Sequence, residues 1–184
     1  MNIPVVLTLF RILCIPLLVF LLLSHFEGRE LISFSVFGLA ALTDIADGVL
    51  ARRTDKTTAL GELLDPLADK LLISSVLICL VGLGRIESWM VVIIIGREIA
   101  VTGFRAVAAS KGIIIPASAL GKIKMWCEAI TICLLILGEK YLGPFHILSQ
   151  IGLWIVLAIV IISAGEYFAR FGKRILALPP SAKN

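Results

Sequence analysis

Four aspartates lie close together in this sequence, at spacings that suit a metal site. Asp44 and Asp47 are three residues apart, so they share one face of a helix. Asp65 and Asp69, four residues apart, do the same further along. Converging carboxylates repel one another unless one takes a proton or a cation binds between them. Oxygen ligands without His or Cys favour hard divalent ions such as Mg²⁺ or Mn²⁺, and two such ions can stabilise the attacking and leaving oxygens at a phosphorus atom.

Small residues and an arginine accompany the first pair of acids. Gly48 and Ala51 fall within the same helical arc as Asp44 and Asp47. Because they have almost no side chain, a bulky phosphate-bearing group can approach the backbone there. Arg52 lies at the edge of this face, where a cation can meet a phosphate.

Each acid taken alone also has a structural explanation. Asp65 precedes Pro66, a common arrangement at the start of a helix, so it could be a cap. Asp44 and Asp47 could pair with neighbouring arginines at a solvated helix end. Four acids in register with small residues and an arginine are harder to obtain in that way, and the sequence favours a phosphate and metal site.

The elements that position these residues are those of a membrane protein. The 184-residue chain is 59% hydrophobic and 16% charged, with a mean hydropathy of +1.05, which leaves too little polar surface for a soluble domain. Six stretches approach the roughly 20 apolar residues that span a bilayer. They are residues 4–23, 31–51, 66–84, 89–109, 118–138 and 144–168. The sequence predicts one all-α domain over residues 1–184, an integral membrane bundle of six transmembrane helices.

The first stretch carries a charge deep inside it, at Arg11. This position predicts an N-terminal interfacial segment, whose first turns lie along the membrane surface before the chain enters the bilayer. Thr8 and Arg11 are three residues apart and share a helical face that a lipid headgroup could reach.

Lysine and arginine positions predict the orientation of the bundle. Arg29, Arg85 and Lys140 fall on one side, and the other fourteen of the 17 basic residues fall on the opposite side or near it. The positive-inside rule therefore places both termini and the aspartates in the cytoplasm of a multi-pass protein of the cell membrane. The short connection between the second and third stretches makes those helices antiparallel neighbours, which would bring the four carboxylates together.

The acidic stretch resembles the signature of the CDP-alcohol phosphotransferase family. That signature is Asp-x-x-Asp-Gly-x-x-Ala-Arg, eight residues, Gly, three residues, Asp, three residues and Asp, and here it runs from Asp44 through Gly61 to Asp69. The resemblance implies a six-helical integral membrane protein, usually a homodimer, whose site opens to the cytoplasm. It also implies transfer of a phosphatidyl or similar group from a CDP-linked donor to an alcohol, with release of CMP.

The resemblance further implies roles for individual residues. Two divalent ions, Mg²⁺ or Mn²⁺, would be held by Asp44, Asp47, Asp65 and Asp69. Asp69 would also be the catalytic base that takes the proton of the acceptor hydroxyl. Residues that would bind CDP-diacylglycerol are Thr8, Gly48, Ala51, Arg52 and Thr58. The family commonly has Asn where this chain has Val5, which makes Thr8 more important in the first helix.

Residues outside the signature point to the acceptor. The segments "GREIAVTGFRAVAASKG" and "SALGKIKMWCEAITI" resemble the bacterial phosphatidylglycerophosphate synthases of that family. Arg97, Arg105 and Lys122 then predict a pocket for an acceptor that carries its own phosphate, sn-glycerol 3-phosphate. The alternative for such cations is a role in topology or in binding anionic lipid, and the sequence favours that alternative for Lys124.

The predicted reaction is transfer of the phosphatidyl group of CDP-diacylglycerol to sn-glycerol 3-phosphate, giving phosphatidylglycerol phosphate and CMP. The same chemistry with serine, inositol phosphate or phosphatidylglycerol is an alternative. A divalent-cation transporter is a more distant one, since a pore needs acids at both ends of a path and these lie at one side. The donor's acyl chains would lie in an apolar groove between helices. The expected partners are the lipid bilayer and a second copy of the chain, with no nucleic acid.

Overall fold

In a computed structural model, the chain is described over residues 3–51, 59–110 and 119–176, with side chains for most of 6–43, 66–110 and 121–169. The described ranges are helical apart from short turns and contain no strand, as the prediction of an all-α fold requires. The helices are α1 (Ile3–Leu23), α2 (Arg29–Ala51), α3 (Ala59–Gly82), α4 (Ser88–Ser110), α5 (Ala119–Leu142) and α6 (Ile147–Leu176), with a 3₁₀ turn at Gly143–His146.

The bundle is held together by an apolar interior that all six helices share. Helix α1 packs against α2 and α3, α5 packs against α6, and α4 packs against α3 and α6. Side chains that are fully or almost fully buried in this core include Leu18, Phe37, Val76, Ile94, Ile136 and Val160. Each comes from a different helix, so the core depends on all of them together.

The outside of the bundle is also apolar. Leu13, Val92 and Ile162, on three different helices, are 70%, 69% and 61% exposed. Extensive exposed apolar surface of this kind marks contact with a membrane or a partner. Two helical stretches among the described residues are long and apolar enough to cross a bilayer, Val6–Leu23 and the 45-residue Ile123–Tyr167, which continues from α5 into α6. These features indicate a membrane protein, while the count of six spans stays a prediction.

Helix α1 runs without a break past Arg11, whose surroundings differ from those expected. Arg11 and Thr8 are 0% and 2% exposed, so their shared face is turned into the bundle. The charge of Arg11 is covered by protein and does not require a position at the membrane surface. The N-terminal interfacial segment stays a prediction, but the position of Arg11, on which it was based, no longer supports it.

A break in α5 is held by an arginine from the turn between α3 and α4. Gly138 has φ 62° and ψ −170°, a left-handed φ that favours glycine. Arg85 Nη1 donates to the carbonyl of Leu135 at 2.8 Å and also to that of Ile136. Its Nη2 lies 3.4 Å from Glu30 Oε1. The guanidinium thus donates hydrogen bonds to the carbonyls near the break, and it links Glu30 of α2 to α5. This link lies at the C-terminal end of α3, far from Asp69.

Candidate active site

The backbone places the four aspartates on two helices. Asp44 and Asp47 lie in the C-terminal part of α2, and Asp65 and Asp69 lie in the N-terminal half of α3. Both segments are helical, so each pair shares a helix face as the spacing predicts. Asp69 is the member of the set whose side chain the structure describes. The joint binding of metal by all four stays a prediction.

The bounds of α3 remove one structural explanation for Asp65. The sequence suggested a helix that starts at Pro66, with Asp65 as its cap. Instead, α3 begins at Ala59, and Pro66 lies inside it. That predicted start was wrong because the segment before Pro66 is itself helical, so Asp65 lies within the helix and not at its N-terminus.

The predicted donor-binding residues are described to different extents. Thr8 lies on the buried face of α1. Gly48 and Ala51 lie on α2, on the same helix as the first two aspartates. Arg52 and Thr58 lie outside the described residues. Their contacts with a donor remain predictions.

Asp69 lines two cavities of different character. One, of about 290 Å³, is called the charged cavity here, and its acidic and basic lining residues are Asp69, Lys70, Arg97, Glu98, Arg105, Lys124 and Glu128. The other, of about 340 Å³, is called the apolar cavity, and its lining includes Arg11, Phe34, Phe37, Leu72, Trp126 and Ile130 as well as Asp69. A single carboxylate therefore lies at the boundary between a charged and an apolar compartment.

The apolar cavity also explains how α2 and α3 are arranged. Both helices line it, and both pack on α1. Along their described side chains they therefore flank a common cavity. The antiparallel pairing of the two helix ends that carry the aspartates stays a prediction, since the side chains of residues 44–65 lie outside the described set.

A chain of ion pairs joins α5 to α4 across the charged cavity, and a hydrogen bond extends it to α6. Lys124 Nζ lies 2.8 Å from Glu128 Oε2 and 2.5 Å from Glu98 Oε1. The same Glu98 oxygen accepts a hydrogen bond from Arg97 Nη1 at 2.6 Å. Arg97 Nη2 donates to Ser163 Oγ at 2.9 Å. Shared charges at these distances hold three helices in a defined register around the cavity.

This network corrects the interpretation of Lys124. The sequence favoured a role for it in topology or lipid binding, but its side chain is 7% exposed and pairs with two carboxylates inside the bundle. The available signal was the spacing of Lys124 and Glu128, four residues apart on one helix, in which an acid stands deep in an apolar stretch. The partner Glu98 comes from α4, and no sequence pattern indicated that pairing.

The predicted phosphate-binding residues lie partly in the charged cavity. Arg97 and Arg105 both line it. Lys122 lies on α5, but its side chain is outside the described set. A cation that the sequence did not suggest, Lys70, also lines the cavity and donates to Thr102 Oγ1. Its place beside Asp69 in the sequence was the one available signal.

The described lining of the charged cavity has more positive than negative groups. Four cations line it, namely Lys70, Arg97, Arg105 and Lys124, against three carboxylates, namely Asp69, Glu98 and Glu128. A cavity with a net positive charge and donors from several helices suits a phosphate-bearing ligand. The adjoining apolar cavity suits a hydrocarbon chain.

Comparison with known proteins gives consistent matches. The CDP-alcohol phosphatidyltransferase family matches residues 1–162. The chain is 38% identical over 185 residues to the CDP-diacylglycerol–glycerol-3-phosphate 3-phosphatidyltransferase of Bacillus subtilis, with 92% of this chain and 94% of that protein covered. It is 34% identical over 172 residues to a probable phosphatidylglycerophosphate synthase of Mycobacterium tuberculosis, with 92% and 81% covered. It is also 34% identical over 169 residues to the CDP-diacylglycerol–glycerol-3-phosphate 3-phosphatidyltransferase of Rickettsia typhi, with 91% of this chain and 95% of that protein covered.

Proposed function

This chain belongs to the CDP-alcohol phosphatidyltransferase family, and we propose that it transfers the phosphatidyl group of CDP-diacylglycerol to sn-glycerol 3-phosphate. The products are phosphatidylglycerol phosphate and CMP. The observation that carries this proposal is the place of Asp69, which lines both the charged cavity and the apolar cavity. A lipid donor and a phosphorylated, water-soluble acceptor need such a boundary in order to meet.

The four aspartates fit a pair of divalent ions by their chemistry. They supply carboxylate oxygens, without His or Cys, from two helices, which suits Mg²⁺ or Mn²⁺. Ions held by Asp44, Asp47, Asp65 and Asp69 would neutralise the donor diphosphate and ease the departure of CMP. The rest of the chemistry falls to side chains of the chain itself.

Asp69 is the proposed base. Its carboxylate takes the proton of the acceptor hydroxyl while that oxygen forms a bond to the phosphorus next to the diacylglycerol. The bond from this phosphorus to the oxygen that bridges the diphosphate breaks, and CMP leaves with that oxygen and its electron pair. One phosphate ester replaces one phosphoanhydride, and no oxidant or reductant is needed.

The charged cavity is the proposed acceptor site. Arg97 and Arg105 would bind the phosphate of sn-glycerol 3-phosphate, with Lys122 as a third cation. Arg97 is already oriented by Glu98 and Ser163, so little side-chain freedom is lost when an anion binds.

The donor would approach from the opposite side of Asp69. Its acyl chains would lie in the apolar cavity, and its nucleotide head would meet Thr8, Gly48, Ala51, Arg52 and Thr58. All six helices would cross the cell membrane, with both termini and the site on the cytoplasmic side. Two copies of the chain would form the working enzyme.

The test is CMP release by purified protein in detergent, with CDP-diacylglycerol, a divalent ion and one acceptor at a time. We expect release with sn-glycerol 3-phosphate and background release with serine, inositol phosphate or phosphatidylglycerol. Asp69→Asn should lower the rate at least about a hundredfold, the usual lower range for loss of a catalytic base. Glu139→Gln, which changes an exposed carboxylate at the far end of α5, is the matched control and should keep the rate. Release that is faster with another acceptor would contradict the assignment of the substrate.

A further inference from the structure

The charged cavity contains a carboxylate that the proposed reaction does not use. Glu128 is 2% exposed and lines the cavity together with Asp69 and the arginines. Its Oε2 receives Lys124 Nζ at 2.8 Å. Its Oε1 is shielded from solvent and has no hydrogen-bond partner in the described part of the chain. A buried carboxylate oxygen without a donor is unfavourable, and native proteins keep few of them.

The cavity itself indicates which kind of donor this oxygen would meet. A phosphate is repelled by a carboxylate and has no proton to offer when it is fully ionised. Two of the four cations that line the cavity already have carboxylate partners, since Arg97 pairs with Glu98 and Lys124 bridges Glu98 and Glu128. A neutral hydroxyl on a bound ligand can donate to Glu128 without bringing in another charge.

We propose that Glu128 is a specificity-determining residue that accepts a hydrogen bond from the middle hydroxyl of the acceptor. This rests on the proposed function, in which the terminal hydroxyl meets Asp69 and the phosphate meets the arginines. The remaining polar group of sn-glycerol 3-phosphate is the hydroxyl on the carbon between those two ends. Glu128 thereby selects phosphorylated acceptors with two adjacent hydroxyls over phosphorylated simple alcohols.

The ion-pair chain supports this role by fixing the orientation of the carboxylate. Lys124 holds Oε2 of Glu128, so Oε1 is the oxygen left for a ligand. Lys124 is fixed in turn by Glu98 on α4. A site that is built to hydrogen-bond a substrate hydroxyl discriminates strongly against an analogue that lacks it, because the buried protein group is then left unpaired.

The experiment compares two acceptors that differ in one hydroxyl. They are sn-glycerol 3-phosphate and 3-hydroxypropyl phosphate, which keeps the reacting hydroxyl and the phosphate but lacks the middle hydroxyl. For the wild-type protein we expect kcat/KM to favour sn-glycerol 3-phosphate by roughly ten- to a hundredfold, the range for a hydrogen bond to a charged group. In Glu128→Gln, the amide oxygen turns to Lys124 and the amide nitrogen replaces Oε1, so the charged acceptor is lost and only a weaker, neutral hydrogen bond from the amide to the hydroxyl oxygen can form. The preference should then fall by at least about threefold.

Two further variants separate this role from a structural one. Glu98→Gln removes a charge from the same ion-pair chain but keeps an amide oxygen that can accept from Lys124, so it should lower kcat/KM for both acceptors by similar factors and keep most of the preference between them. Glu128→Asp keeps a carboxylate and should retain part of the preference. If Glu128→Gln is too slow to assay, calorimetric binding of the two acceptors gives the same comparison without turnover.

Several outcomes would overturn the assignment. These are a wild-type protein that does not distinguish the acceptors, a preference that is unchanged in Glu128→Gln, or an equal loss with both acceptors in that variant. Equal loss would assign Glu128 to folding or to proton transfer instead. If both acceptors bind to folded protein but no CMP is released, the proposed reaction fails and the binding comparison still decides the role of Glu128. If neither acceptor binds, both proposals fail.

Discussion

Helix α6 passes Thr131 of α5 at Gly152 with no space for a side chain. A Cβ added at Gly152 would lie 2.6 Å from Thr131 Oγ1, 3.3 Å from its Cγ2 and 3.4 Å from its Cβ. Favourable contacts between carbon atoms lie at about 3.5–4.0 Å, so the contact with Oγ1 is about an ångström too short. Thr131 is buried, and a rotation that relieves the clash would move its hydroxyl into new surroundings at a cost.

We expect Gly152→Ala to lower the free energy of unfolding by about 1–2 kcal/mol. Overpacking in a close-packed interior costs about 1–3 kcal/mol, and the higher helix propensity of alanine returns about 0.5–1 kcal/mol. For a chain of this size the loss corresponds to a decrease in Tm of roughly 2–8 °C. The measurement is thermal unfolding in detergent with a thiol-reactive dye, which reports exposure of the buried Cys14 and Cys79.

Two matched variants make this prediction refutable. Gly103→Ala lies in α4 with nothing within 4 Å of the added Cβ, so it should keep or slightly raise the Tm. Thr131→Ala combined with Gly152→Ala leaves the 3.4 Å contact between the two Cβ positions, which is an ordinary one, and should recover most of the loss. Unchanged stability of Gly152→Ala, or a double variant no more stable than the single one, would refute the reasoning from this close approach.

Three other predictions concern the remote end of α5, the ion-pair chain and the metal ions. Gly138→Ala places a Cβ 3.0 Å from Arg85 Cζ in a backbone with φ 62°, so the free energy of unfolding should fall by about 1–3 kcal/mol. Equal Tm values for this variant and the wild type would contradict this prediction. Lys124→Met leaves the Glu98 and Glu128 carboxylates inside the bundle without their shared cation, so the free energy of unfolding, measured with a denaturant, should fall by about 3–5 kcal/mol. A decrease below about 1 kcal/mol would show that these carboxylates are solvated. Chelation with EDTA should abolish CMP release, and excess Mg²⁺ or Mn²⁺ should restore it; release that persists in EDTA would refute the metal-dependent mechanism.

Much of the candidate site could be predicted from local sequence. The spacing of the aspartates, the small residues beside them and the apolar stretches are properties of single helices. A periodicity of 3.6 residues determines which residues share a face, whatever the helix packs against. The all-α fold, the family and the shared cavity of Arg97 and Arg105 on α4 were therefore accessible, since each depends on one segment at a time.

Contacts between helices were not accessible in this way. The sequence around Lys124 suggested a basic residue that sets the membrane orientation of the chain. Its partner Glu98 lies on α4, and the two side chains meet only because α4 and α5 are brought together by packing. The burial of Arg11 likewise follows from the helices that cover it. The position of Asp69 between two cavities depends on α2, α4 and α5 as much as on its own helix.

Local sequence alone determined the chemistry that is present and the helix faces that carry it. Tertiary structure decided which of these groups meet, since the side chains that pair across helices are set by packing distances and helix register that no single segment encodes. The buried pairing of Lys124 with Glu98 and Glu128 is the clearest case. In the sequence these residues resemble ordinary charges at a membrane surface, but when they are buried together they form an ordered network that lines the site.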